Sequence, residues 1–318
     1  MAGPLLAWIT KDNACHTMDS RLRGNDDGVD AKMRTAAGRL DATPISQFVS
    51  PPEPKTALGI ITMSTVALAS QVVGEGPPLV ILHGLFGSAR NWASVARGLA
   101  DIRQVHALDL RNHGSSSWSD QMTYERMAAD VALYIETRGL APCDVLGHSM
   151  GGKTAMVLAL TEPALVERLI VVDIAPVGYI RESFPEYVRA MKDIDLAHTH
   201  RRADVDAQLT PHIPDPSLRA FLLQNLVSEH GRFHWRINLD GIGPNLPAII
   251  DFPPFKYGFS GATTFLAGER SDYIRPRDEA AIRRLFPHSK LIEIGQSGHW
   301  PHAEQPERFL ALVRHALT

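Results

Sequence analysis

The sequence predicts an α/β fold with a mostly parallel sheet and helices on both of its faces. Two observations carry this. From residue 64 onward, short apolar runs rich in β-branched residues alternate with amphipathic runs of helical length. The apolar runs also end in turns that carry His, Gly, Ser or Asp. A sheet of this kind binds ligands beyond the carboxyl ends of its strands.

The strand-like runs cover 78–82, 105–109, 144–146, 169–172, 263–267 and 291–294. The helix-like runs cover 92–99, 122–139, 153–160, 279–286 and 304–317. The alternation breaks between about 177 and 260, where helix-like stretches at 182–191 and 217–226 flank a polar, His- and Arg-bearing middle. This segment reads as a cap inserted over the sheet, with Phe184, Tyr187, Phe221, Phe233 and Trp235 as candidates to line an apolar pocket.

Residues 1–62 differ from the rest. They show no periodicity, end in a Pro-rich turn and read as a disordered extension, so the folded domain is expected to begin near Met63. The apolar piece Pro4 to Ile9 has no basic segment before it and no small-residue cleavage site after it, which makes it a poor signal peptide.

The composition narrows the function classes. With 44% hydrophobic and 21% charged residues and a net charge of -3, the 318-residue chain reads as globular, without the basic excess that marks nucleic-acid binding. Its two cysteines, Cys15 and Cys143, form neither a disulfide framework nor a metal site, which points to a reducing, cytoplasmic setting. No apolar run reaches the roughly 18 residues of a membrane span. Nothing in the sequence fixes an oligomeric state.

The chemistry centres on Gly147-His148-Ser149-Met150-Gly151, a G-x-S-x-G pentapeptide between a strand and a helix. A serine in this sharp turn projects its hydroxyl outward, and the flanking glycines avoid clashes that side chains would make. The Met150 N–H can then donate to an oxyanion. The same stretch, GHSMGGKT, also spells a P-loop, in which Lys153 would meet phosphates and Thr154 a magnesium ion. The P-loop reading leaves the His-bearing turns unexplained.

A serine hydroxyl needs a general base. His299, in Gly298-His299-Trp300 after the last strand-like run, is the candidate, with His302 second. The turn His83-Gly84-Leu85-Phe86-Gly87 is placed to supply a second oxyanion donor, with the Leu85 N–H as candidate and Phe86 beside it. Trp300 and Phe86 are candidates to touch substrate. Two carboxylates compete to orient His299. Asp272 follows the strand before the His strand, the usual place, and Asp173 ends its own strand; Asp240 is a distant third. His198, His200, His230 and His234 do not have zinc-site spacing.

Taken together, HGLFGSARNW, LDLRNHGSS, LGHSMGGKTAM, ALVERLIVVDIAPV, FHWRINLD and GHWPHAEQP make residues 64–318 resemble the ABHD11-like and YbfF-like serine esterases of the α/β-hydrolase superfamily. The resemblance implies the α/β-hydrolase fold and cofactor-free hydrolysis of small acyl esters or thioesters, with Ser149 and His299 as nucleophile and base. It places Lys153 and Thr154 in the serine turn of such enzymes, and it favours Asp173, where strand order favours Asp272. Other serine chemistry on the same fold, such as C–C bond hydrolysis or perhydrolysis, is the alternative.

Overall fold

The computed structural model describes residues 64–180 and 183–318. The extension at 1–62, and with it the expected start near Met63, lies outside them.

Chain order gives β1 (Ser70–Val73), β2 (Pro78–Leu82), α1 (Ala93–Leu99), β3 (Gln104–Leu108), α2 (Tyr124–Thr137), β4 (Cys143–His148), α3 (Met150–Thr161) and β5 (Val166–Val172). After an insertion come β8 (Ala262–Gly268), α9 (Glu279–Leu285), β9 (Ser289–Ile294), α10 (Pro301–Glu304) and α11 (Pro306–Ala316). The seven-stranded sheet has the order β1-β3-β2-β4-β5-β8-β9. Only β1 runs antiparallel, against β3.

Alternation along each strand serves the two faces. Val80 and Leu82 of β2, with Leu169 and Val171 of β5, enter the core under α2 and α3. Leu79 and Ile81, with Ile170 and Val172, face α1 and α11, where Trp92, Leu99, Phe309 and Val313 close the second core. Because both faces are covered, β2 and β5 carry unbroken apolar runs, at 79–82 and 169–172, as buried parallel strands do.

The chain leaves β2 for β3 on one side and returns to β4 on the other, so β2 is where strand order reverses. Leu82 pairs with Leu108 and with Gly147, which brings the loops after β2 and β4 side by side at the carboxyl edge. Val172 pairs with His148 and with Leu266, and Gly268 with Ile294. The turns after β5, β8 and β9 therefore open onto the same edge.

The insertion between β5 and β8 contains α4 (Ser183–Lys192), α5 (Arg202–Leu209), α6 (Pro216–Leu223), a hairpin of β6 (Leu226–Glu229) and β7 (Arg232–Trp235), α7 (Leu239–Ile242) and α8 (Leu246–Ile250). Polar contacts fasten it to the sheet domain. Asn225 Nδ2 donates to Phe86 O at 2.7 Å, and Asn238 bonds Asn112 through both backbone and side chain. Among the described residues no helix is long and apolar enough to cross a membrane.

Candidate active site

Ser149 stands between β4 and α3 with φ 53° and ψ -119°, a conformation that aims its side chain away from the sheet. The turn is tight enough to exclude side chains on both flanks. A Cβ on Gly147 would lie 2.2 Å from Gly151 O, and one on Gly151 would lie 2.3 Å from Leu82 O. These backbone approaches are the physical reason for the G-x-S-x-G spacing.

His299 Nε2 lies 3.1 Å from Ser149 Oγ, and His299 Nδ1 lies 2.7 Å from Asp173 Oδ2. Asp173 is fully buried, with φ 50°. Its Oδ1 accepts from the Gly268 N–H at 2.9 Å, and its Oδ2 also accepts from the Ser271 hydroxyl. The carboxylate is thus held on three sides, and its hydrogen bond to Nδ1 leaves Nε2 bare toward the serine, the tautomer a general base needs. Asp272 points elsewhere: half exposed, it pairs with Arg275 at 2.9 Å. Asp240 is exposed on α7 and pairs with Lys192. Geometry therefore brings together Ser149, His299 and Asp173.

His299 is held from its backbone as well. Glu304, at the end of α10, accepts from the N–H groups of both Gly298 and Trp300. His148 Nε2–H donates to His299 O at 2.7 Å. The Tyr273 ring stacks on the imidazole with centroids 3.8 Å apart and planes 16° apart. Sequence reasoning missed Ser271, Tyr273 and His148, because each meets His299 or Asp173 across the fold, and Glu304, whose contact is local but runs to backbone N–H groups that spacing does not reveal. His302 lies against Trp92, with rings 4.4 Å apart, and burial drops its pKa to about 3.

Two buried histidines shape the loop after β2. His83 donates from Nδ1 to Gly84 O and accepts the Leu110 N–H at Nε2. His113 donates from Nδ1 to Arg111 O and accepts the Phe86 N–H at Nε2, 3.1 Å away. Both roles require a neutral ring, and burial supplies it, lowering His83 to about 4 and His113 to about 3. The Phe86 N–H is therefore occupied. Among the described residues the Leu85 N–H has no protein partner, and neither does the Met150 N–H, the first of α3. Gly84 adjoins Ser149: a Cβ built on it would lie 3.3 Å from Ser149 Cβ.

A cavity of about 250 Å³ opens over Ser149 and His299. Its apolar wall combines Phe86, Phe184 and Tyr187 of α4, Leu218 and Phe221 of α6, and Trp300. Phe233 and Trp235, expected as lining, lie on the hairpin strand β7 instead, and Trp235 Nε1–H donates to Met191 O. Lys153 and Thr154 do not face an anion site. Lys153 is buried and donates to Ile250 O and Asp251 O; the Thr154 hydroxyl donates back to Met150 O. Among the described residues no cluster of His, Cys, Asp or Glu is arranged to hold a metal ion.

The fold and this edge-of-sheet site define an α/β hydrolase, and comparison with known proteins agrees. The α/β-hydrolase fold family matches residues 77–306, and the chain belongs to it. The chain is 44% identical over 245 residues to an sn-1-specific diacylglycerol lipase ABHD11 of Xenopus laevis, covering 75% of this chain and 78% of that one. It is 29% identical over 252 residues to esterase YbfF of Escherichia coli, covering 79% and 97%. Among solved structures, a marine microorganism esterase superposes with a TM-score of 0.77 at 39% identity, covering 79% of this chain and 99% of that one.

Proposed function

We propose that this carboxylic ester hydrolase cleaves small acyl esters and thioesters through an acyl-enzyme formed on Ser149. The observation that carries the reading is the continuous chain Ser149 Oγ, His299 Nε2, His299 Nδ1, Asp173 Oδ2 at 3.1 and 2.7 Å.

In the first half-reaction His299 takes the Ser149 proton while Oγ attacks the carbonyl carbon. Negative charge develops on the carbonyl oxygen, which the Leu85 and Met150 N–H groups meet without prior reorganisation. Asp173 stabilises the imidazolium and keeps its plane fixed. The tetrahedral adduct collapses, and the alcohol or thiol leaves with the proton from His299. In the second half-reaction His299 deprotonates a water molecule that attacks the acyl-enzyme. The same imidazolium returns its proton to Ser149 Oγ as the carboxylic acid departs.

The size of the apolar cavity supports a small acyl group. Its volume of about 250 Å³ lies just below the ~300–1,000 Å³ of pockets that enclose drug-sized ligands. The cap supplies much of that wall and so sets acyl preference.

The test is Ser149→Ala, assayed on a p-nitrophenyl acyl ester series and on acyl thioesters. We expect kcat to fall by on the order of 10⁶ and fluorophosphonate labelling to vanish. Retained turnover in Ser149→Ala would overturn the mechanism.

A further inference from the structure

Tyr273 lies in the loop between β8 and α9, the loop that also holds Ser271 and Asp272. Its ring is nearly parallel to the His299 imidazole, with centroids 3.8 Å apart. That is face-to-face contact on the one group whose charge changes in every step of the proposed reaction. An aromatic face carries negative quadrupole potential and attracts a cation placed over it within about 6 Å.

Backbone tethers fix the placement. Tyr273 O accepts from the Tyr179 hydroxyl at 2.5 Å, and that hydroxyl accepts from the Ala175 N–H at 2.9 Å. The Tyr273 N–H donates to Ser271 Oγ at 3.3 Å, and Ser271 donates onward to Asp173. The segment after Asp173 and the loop after β8 are thereby linked, so the carboxylate and the ring reach His299 as one unit.

The other groups around His299 leave this role open. Asp173 occupies Nδ1, and the Ser149 hydroxyl occupies Nε2. The His148 ring lies 4.8 Å away, tilted by 43°, and the Trp300 ring 5.6 Å away at 61°. His148 and His302 are held neutral by burial, so neither puts a positive charge beside the imidazolium.

We propose that Tyr273 is a positioning residue for the base, its ring face fixing the plane of His299 and stabilising the imidazolium formed in both half-reactions. The proposal rests on the reading of Ser149, His299 and Asp173 as the reacting set. In that set Asp173 supplies the charge at the ring edge and Tyr273 the π density at the ring face.

The experiment compares Tyr273→Leu and Tyr273→Phe with the wild type in kcat, KM and the pH dependence of kcat/KM on p-nitrophenyl esters. Tyr273→Leu is expected to lower kcat about three- to thirty-fold with KM within about twofold. The acid limb of its kcat/KM profile moves down by about half to one pH unit, because the protonated base has lost a stabilising partner. Tyr273→Phe keeps the face and returns both readouts to near wild type.

Pentafluorophenylalanine placed at 273 keeps the ring shape but inverts its quadrupole, so it separates electrostatics from folding. It is expected to behave like Tyr273→Leu. The proposal is overturned by wild-type kcat and acid limb in Tyr273→Leu, by a loss confined to KM and acyl-chain preference, or by a fluorinated ring that performs like Phe. Ser149→Ala, run alongside, distinguishes the two failures. An active Ser149→Ala removes the reading beneath the proposal. An inactive Ser149→Ala with unchanged Tyr273→Leu removes the proposal alone.

Discussion

Asp173 Oδ2 lies 2.7 Å from His299 Nδ1, across 126 positions of sequence that include the whole cap. The carboxylate comes from the turn after β5, while the loop after β8, the usual source in this fold, contributes Ser271 and Tyr273 instead. The β5 turn offers an acid that is buried and already fixed by the Gly268 N–H and the Ser271 hydroxyl, so the imidazole meets a carboxylate that has no reorganising left to do.

The first prediction separates the two aspartates. Asp173→Asn preserves shape but no longer holds His299 in the base tautomer, and kcat is expected to drop about 10⁴-fold, as in other triads. Asp272→Asn weakens a half-exposed pair with Arg275 and is expected to stay within about threefold. Steady-state kinetics on one ester decides. A severe loss in Asp272→Asn with a mild one in Asp173→Asn would reverse the assignment.

How much of this is legible in the sequence follows from how local each signal is. The β2, β3, β4, β5, β8 and β9 strands announce themselves by apolar runs, and the serine turn by two glycines with no room for a side chain. Strand β1 is only four residues on the antiparallel edge, too short to show a period. The β6–β7 hairpin turns at His230-Gly231, both with positive φ, and its first strand overlaps the helix expected at 217–226, which ends instead at Leu223. The choice between Asp173 and Asp272 stays open in the sequence because each stands near a strand end. What separates them is the direction of one side chain, which spacing does not encode.

The second prediction tests the glycine argument. In Gly151→Ala the new methyl meets Leu82 O and His83 O within 2.6 Å, and both are backbone atoms, one of β2 and one of the loop after it. The clash cannot be relieved by a side-chain rotation. We expect a destabilisation of about 3 kcal/mol or more, together with loss of activity beyond that of unfolding alone. Urea unfolding and active-site titration measure the two effects. A substitution that is neutral in both would show that the turn is looser than described.

Lys153 gives the third. Its ammonium lies 2.7 Å from Asp251 O and 3.0 Å from Ile250 O, and 4.7 Å from the Tyr179 ring centroid, so it ties α3 to the exit of the cap. Lys153→Met leaves two carbonyls without this donor and is expected to cost about 2–3 kcal/mol, lowering Tm by roughly 5–10 °C. Magnesium-ATP should shift the Tm of neither protein. A nucleotide-dependent shift seen in the wild type and abolished in Lys153→Met would revive the P-loop reading of GHSMGGKT.

The last prediction concerns acid. His83 and His113 are buried and act as hydrogen-bond acceptors, with pKa values lowered from 6.5 to about 4 and about 3. In this window the unfolded chain binds more protons than the folded one, so stability rises with pH. Their contribution is therefore fully present above about pH 6.5 and is lost as pH falls toward 4. Each histidine adds about 1.4 kcal/mol per pH unit to that slope. His113→Gln can still offer a side-chain oxygen to the Phe86 N–H but has no titrating ring, and it is expected to remove about one proton from the slope. Urea midpoints measured from pH 7 to pH 4.5 test this. A wild-type midpoint that stays level between pH 6.5 and 5 would mean that these rings are not held neutral, and that the loop after β2 is positioned by something other than the pair of histidines beneath it.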